Sequence, residues 1–177
     1  YILITTHNKK AAAINDEKLR KIKKESVLFH AEIQGTFPEN IYPLNPNMEL
    51  KVGAQIMFVK NDFEQGQNYY NGKIGEIHEL TKEKISVIFH ETGQIVKVDK
   101  YTWENTRYTL DKATGQIEEE VLGTFTTYPI KLAWAVTVHK SQGLTFKKAI
   151  IDISEAFAPG QIYVALSRLE ALDGLVL

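Results

Sequence analysis

No cysteine occurs in the sequence, so a disulfide framework, a cysteine-ligated zinc and a thiol nucleophile are all excluded. Neither sign of charge dominates. The 21 Lys and Arg residues face 22 Asp and Glu, a formal net charge of -1, so no global basic field marks the chain for nucleic acid and any polyanion site must be local. No apolar run approaches the roughly 20 residues of a membrane span, and no signal peptide stands at the start. A cytoplasmic, reducing setting away from any membrane is therefore expected. What the chain does have is the balance of a folding protein. Hydrophobic residues make up 44% and charged residues 24% of 177 positions, enough for one ordinary domain or one domain with a small insertion.

Strand–helix character at both ends encloses a β-rich middle. Tyr1-Ile-Leu-Ile-Thr-Thr6 reads as a strand, residues 9–24 as a helix with Asn8 as its N-cap, and residues 26–33 as a second strand. Residues 35–48 hold Pro38, Pro43 and Pro46 and read as an irregular connection. Short alternating runs follow at 54–60, 73–80, 84–90, 94–98 and 102–110, separated by the turn signals Asn71-Gly72, Thr92-Gly93 and Thr114-Gly115. They suggest a small antiparallel barrel. Helical periodicity is expected again over 130–142, then a strand over 149–153, a helix over 161–168 and a closing apolar run, Gly174-Leu-Val-Leu177. The expected class is α/β, a discontinuous domain (1–49 and 125–177, joined in one sheet) interrupted by a barrel at 50–124. Because both ends read as core strands, an excised fragment is expected.

The segment Trp134-Ala-Val-Thr-Val-His-Lys-Ser-Gln-Gly-Leu-Thr-Phe146 gathers His139, Lys140, Ser141 and Gln142 beside Gly143. A cluster of donors next to a glycine suits phosphates; it equally suits a polar helix end capped by Gly143. His30, His78 and His90 show no metal-like spacing, and the lysines at 9, 10 and 18–24 suit a solvated helix face. Tyr69-Tyr70 could offer a stacking platform for single-stranded bases, or be ordinary loop tyrosines.

Thr137-Val-His-Lys-Ser-Gln-Gly-Leu-Thr145 resembles motif V of superfamily-one helicases of the RecD-like and Pif-type group, and Gly160-Gln-Ile-Tyr-Val-Ala-Leu-Ser-Arg168 resembles motif VI. Leu3-Ile-Thr-Thr-His-Asn8 with Asn15 is similar to motif IV. Leu50-Lys-Val-Gly-Ala-Gln-Ile-Met57 and Asn71-Gly-Lys-Ile-Gly75 resemble the block that introduces the inserted barrel of those enzymes. The resemblance implies the second of two RecA-like domains, carrying motifs IV to VI, with an inserted SH3-like barrel over the DNA or at the duplex junction. ATP and Mg2+ would be bound mainly by the other, N-terminal RecA-like domain. No Gly-x-x-x-x-Gly-Lys-Ser/Thr loop occurs here, and Asp16-Glu17 lies in a predicted helix rather than a magnesium-organising context. The chain alone is therefore expected to be inactive.

For site residues, the resemblance implies Arg168 as the arginine finger toward the γ-phosphate, where a planar, permanently charged fork suits developing phosphoryl charge. Gln142, Gly143 and Thr145 would lie near the nucleotide, with Thr145 standing where relatives carry a ribose-binding Glu. Thr6, His7, Asn8, His139, Lys140 and Ser141 would contact single-stranded DNA. The implied function is part of an ATP-dependent 5′–3′ DNA helicase, a monomer acting in repair or recombination. Two alternatives stay open: a non-enzymatic nucleic-acid or protein-binding module, in which the barrel would serve protein contacts, as nine basic against twelve acidic residues between Lys51 and Gly123 favour for the barrel alone, and a relaxase-associated RecD-like helicase domain.

Overall fold

The computed structural model describes residues 1–62, 68–110, 116–152 and 159–176. The opening apolar run forms β1 (Ile2–Thr5), whose Ile2 and Ile4 have no exposed surface. A strand buried on both faces belongs in the middle of a parallel sheet. β1 lies there, between β12 (Ala135–Thr137) and β13 (Ala149–Asp152), with β14 (Leu175–Val176) outside β13; all three pairings are parallel. Helix α1 (Asn8–Lys21) follows β1 and buries Ala11 and Leu19. Its cap position is His7 rather than Asn8, which is the first helical residue. Lys18, Arg20 and Lys21 occupy its last turn, where cations complement the helix dipole.

The β-rich part is built on five antiparallel strands in the order β11-β5-β6-β7-β8: β11 (Ile130–Leu132), β5 (Gln55–Phe58), β6 (Ile74–Leu80), β7 (Ile85–Phe89) and β8 (Gln94–Val98). Strand β5 has two jobs because its side chains alternate between faces. Ile56 and Phe58 enter one core with Leu50, Ile77, Ile85, Val87 and Val98, whereas Met57 enters the other with Ile2, Ile4, Val136 and Leu144. The two cores thus share a strand. A long hairpin, β9 (Tyr101–Leu110) and β10 (Ile117–Thr127), pairs through β10 with β3 (Glu32–Gly35). There Phe37, Tyr42, Trp103 and Phe125 form a third, aromatic cluster.

Several expectations are corrected. The stretch 130–142 is not a helix but β11, β12 and a 3-10 turn, His139–Ser141. All of Ala135, Val136, Thr137 and Val138 are buried, whereas a surface helix would bury a stripe; a short run buried on both sides gives no period that separates the two. The expected strand 26–33 breaks into β2 (Ser26–His30) and β3, and the irregular connection ends in β4 (Asn47–Lys51), which pairs with β2. Only β1 of the first 49 residues therefore joins the parallel sheet; β2, β3 and β4 pair elsewhere because their register partners are one another and β10. The Thr114-Gly115 turn, Ile153 and Leu177 lie outside the described residues. No helix among the described residues is long and apolar enough to cross a membrane.

Gly35 and Gly123 face each other across β3 and β10. A Cβ on Gly123 would come within 2.5 Å of the Thr36 carbonyl oxygen, and one on Gly35 within 2.4 Å of that of Leu122. Both contacts are with backbone, which yields less readily than a side chain. Gly123→Ala is expected to destabilise the fold by about 1–3 kcal/mol, the usual cost of overpacking. An unchanged urea midpoint for this variant would contradict the close approach.

Candidate nucleotide and nucleic-acid site

In open α/β sheets ligands bind beyond the carboxyl ends of the strands. Here Thr5, Thr137 and Asp152, at the ends of β1, β12 and β13, lie in register. The Val138 amide donates to the Thr5 carbonyl at 2.9 Å, which ties the exit of β12 to the end of β1. From these adjoining ends the six expected DNA contacts emerge, and they divide by orientation. His7, Asn8, His139 and Lys140 are exposed. Thr6 is buried, its hydroxyl sharing a 2.7 Å hydrogen bond with His7 Nδ1. Ser141 is fully buried and its hydroxyl donates to the Val138 carbonyl at 2.7 Å, so it shapes the turn. The first turn of α1 holds no acidic residue, leaving the positive end of its dipole beside this edge.

Asn15 supports the arrangement from behind. Its side chain donates to the Ala135 carbonyl at 2.8 Å and accepts from the Ala135 amide at 2.9 Å, pairing the outer edge of β12 as a neighbouring strand would. An ion pair of 2.7 Å between Lys10 and Asp152 joins α1 to the end of β13. Lys131 is largely buried; burial pushes its ammonium down to about 8, and the charge of Lys140 acts in the same direction. The sequence offered no sign of this, since Lys131 is a single cation in an apolar run.

The nucleotide candidates cluster on the loop after the 3-10 turn. Gln142, Gly143 and Thr145 are exposed, Gly143 with φ +75, while Leu144 between them is buried. Arg168 follows helix α2 (Pro159–Leu166) and is fixed to this loop from both backbone and side chain. The Phe146 amide donates to the Arg168 carbonyl at 2.7 Å, and the Glu170 amide to that of Phe146 at 3.1 Å. The guanidinium donates through Nε to the Val164 carbonyl (3.1 Å), through Nη1 to that of Leu144 (3.3 Å) and through Nη2 to Ser167 Oγ (3.0 Å). No carboxylate among the described residues pairs with it. A guanidinium has five N–H donors, so two are left for a ligand.

The remaining candidates have other partners. Tyr69 stacks on Phe58 with ring centres 3.9 Å apart, which turns one half of the expected tyrosine platform into the core; Tyr70 is exposed. His30 bonds Asn47 at 2.7 Å and His90 bonds Glu76 at 2.9 Å. Among the described residues no group of three or more His, Asp or Glu side chains could hold a metal ion.

The parallel sheet thus ends in a polar loop with an arginine fixed across it. The comparisons give the group: the chain is a homologue of one segment of the Pif1-type DNA helicases. It is 35% identical over 181 residues to the ATP-dependent DNA helicase Pif1 of Campylobacter jejuni, covering 95% of this chain and 40% of that protein. It is 30% identical to human PIF1, covering 97% of this chain and 26% of that one. The structure of unliganded Pif1 from Bacteroides sp matches 99% of this chain and 40% of that chain, with 43% identity and a TM-score of 0.90. Bacteroides Pif1 bound to ssDNA matches with the same identity and coverage and a TM-score of 0.77. No family model matches the chain. The chain spans two fifths or less of the length of these relatives.

Lys131 gives a pH-dependent expectation. Its folded-state value of about 8 lies below the ordinary 10.5, so the folded protein disfavours the charged form. That penalty is complete below pH 8 and fades as pH rises to about 10.5, because the unfolded chain binds the extra proton only in that window. Lys131→Met should therefore be more stable than the parent at pH 7, by on the order of 2 kcal/mol. The advantage should shrink at pH 10. Urea unfolding at the two pH values measures it; an equal difference at both would contradict the burial of an ammonium.

Proposed function

We propose that this chain is the C-terminal part of an ATP-dependent 5′–3′ DNA helicase, acting as a monomer on single-stranded DNA. In this reading the parallel sheet with α1 and α2 belongs to the second of two RecA-like domains, and the antiparallel part is an inserted SH3-like barrel to whose core β2, β4 and β11 lend side chains. The support is the 30–43% identity to Pif1 proteins over nearly the whole chain. The observation that carries the assignment is the guanidinium of Arg168, held on the Leu144 carbonyl with two donors open.

These residues fit one side of a nucleotide site. Arg168 would hold γ-phosphate oxygens, and Gln142, Gly143 and Thr145 would line the same side. The phosphate-binding loop and the carboxylates for Mg2+ would belong to the N-terminal RecA-like domain, since the sequence contains no such loop. ATP would supply the phosphoryl transfer whose energy drives stepping. Arg168 would stabilise charge in the closed state and release it in the open one, while His7, Asn8, His139 and Lys140 keep a grip on the DNA backbone. Translocation would follow from domain closure and opening. Thr6 and Ser141 would act indirectly, by fixing the strand ends that carry those four.

In the full-length protein, Arg168→Ala should lower DNA-stimulated kcat by about two to four orders of magnitude, as expected for a lost finger arginine. Arg168→Lys should restore little, because an ammonium lacks the planar fork. Affinity for single-stranded DNA without nucleotide should persist. Steady-state ATPase beside DNA binding tests this: near-normal turnover, or DNA binding that falls in step with rate, would give Arg168 a different role.

A further inference from the structure

The antiparallel part touches the Arg168 loop through one turn. Residues 70–73 form a tight turn closed by a hydrogen bond from the Lys73 amide to the Tyr70 carbonyl (3.0 Å), with Gly72 at φ +96. A positive φ at the third position of a turn is shared by the type II and type I′ geometries, and both favour glycine there. The turn is anchored on both sides: the Gly72 amide donates to the Phe58 carbonyl at 2.8 Å, and Asn61 Oδ1 accepts from the Asn71 amide at 2.8 Å. It has little freedom to move away.

Facing this turn is Leu144. A Cβ placed on Gly72 would lie 2.9 Å from Leu144 Cδ2 and 3.5 Å from its Cβ and Cγ. Leu144 is 6% exposed and belongs to the core of the parallel sheet. Its carbonyl is the acceptor for Arg168 Nη1. Its amide is bound as well, donating to the Ser141 carbonyl at 3.0 Å. The turn, one buried side chain and the guanidinium thus form a continuous line of contacts from one part of the chain to the other.

We propose that Gly72 is a positioning residue for Arg168: the Tyr70–Lys73 turn is the backstop that seats Leu144, and through the Leu144 carbonyl it sets the direction of the guanidinium. This rests on the arginine-finger role proposed above. It adds that the antiparallel part takes part in hydrolysis rather than only in contacts with DNA. A packed core transmits such a displacement because it has no spare volume in which to absorb it, and a misplacement of about 1 Å can cost 100-fold in rate.

The test uses the full-length protein, with DNA-stimulated kcat, KM for ATP, single-stranded DNA affinity and melting for each variant. Gly72→Ala should lower kcat about tenfold or more, with DNA affinity and KM for ATP within about threefold of the parent. Leu144→Val removes the δ carbon that the new methyl would meet, so Gly72→Ala/Leu144→Val should turn over at least about threefold faster than Gly72→Ala. Strain at a positive φ is common to both alanine variants, so a loss due to strain alone would persist in the double variant and overturn the proposal. If Gly72→Ala fails to fold, Leu144→Phe applies the same pressure from the other side with the turn intact, and a normal kcat there would also overturn it. Normal turnover in Arg168→Ala would instead remove the finger role itself. Normal turnover in Gly72→Ala with a crippled Arg168→Ala would remove only the backstop.

Discussion

The parallel pairing of β1 with β12 and β13 is the constraint on which everything else depends. It places Thr5 opposite Thr137 and Asp152, and thereby sets His7 and Asn8 beside His139 and Lys140, residues about 130 positions away in sequence. Entropy does not forbid so long a closure, since loop cost rises only by about 0.6 kcal/mol per doubling of length. The pairing is held by burial: Ile2, Ile4 and Ala149 have no exposed surface, and Ile151 almost none. Asn15 completes it by occupying the free edge of β12.

An antiparallel body placed between β1 and β12 could hang loosely from its two connections. Two features join it to the sheet instead. β5 contributes Met57 to one core and Ile56 and Phe58 to the other, so neither core can rearrange without disturbing that strand. The Gly72 turn packs on Leu144, and an exposed ion pair of Lys147 with Glu91 (2.9 Å) crosses nearby. The ion pair adds little, since such pairs contribute about 0–1 kcal/mol. The steric contacts are what connect the two parts.

Legibility in the sequence followed the range of the signal. β6, β8 and β9 were readable to within a residue because strand alternation and the Asn71-Gly72 and Thr92-Gly93 turns are local. The strands β11 and β12 were not, because a few apolar residues buried on both sides carry no period of their own. β10 was missed for a related reason: Glu118, Glu119 and Glu120 hide the alternation of its outer half, and its inner half takes its pattern from β3 and β9. Side-chain direction was the least readable. Thr6 and Ser141 were expected to face DNA yet turn inward, and the clamp of the Leu144 carbonyl on Arg168 depends on residues 24 apart in sequence. Lys131 looks like an ordinary surface cation until the structure surrounds it.

The proposed chemistry rests on one guanidinium, held by the backbone carbonyls of Val164 and Leu144. A structure of the full-length protein with single-stranded DNA, ADP and aluminium fluoride would test that most directly. The account predicts the Arg168 guanidinium within hydrogen-bonding distance of the fluoride group, about 2.7–3.2 Å, with Nη1 still on the Leu144 carbonyl. A guanidinium turned from the nucleotide, with another cation in its place, would contradict it.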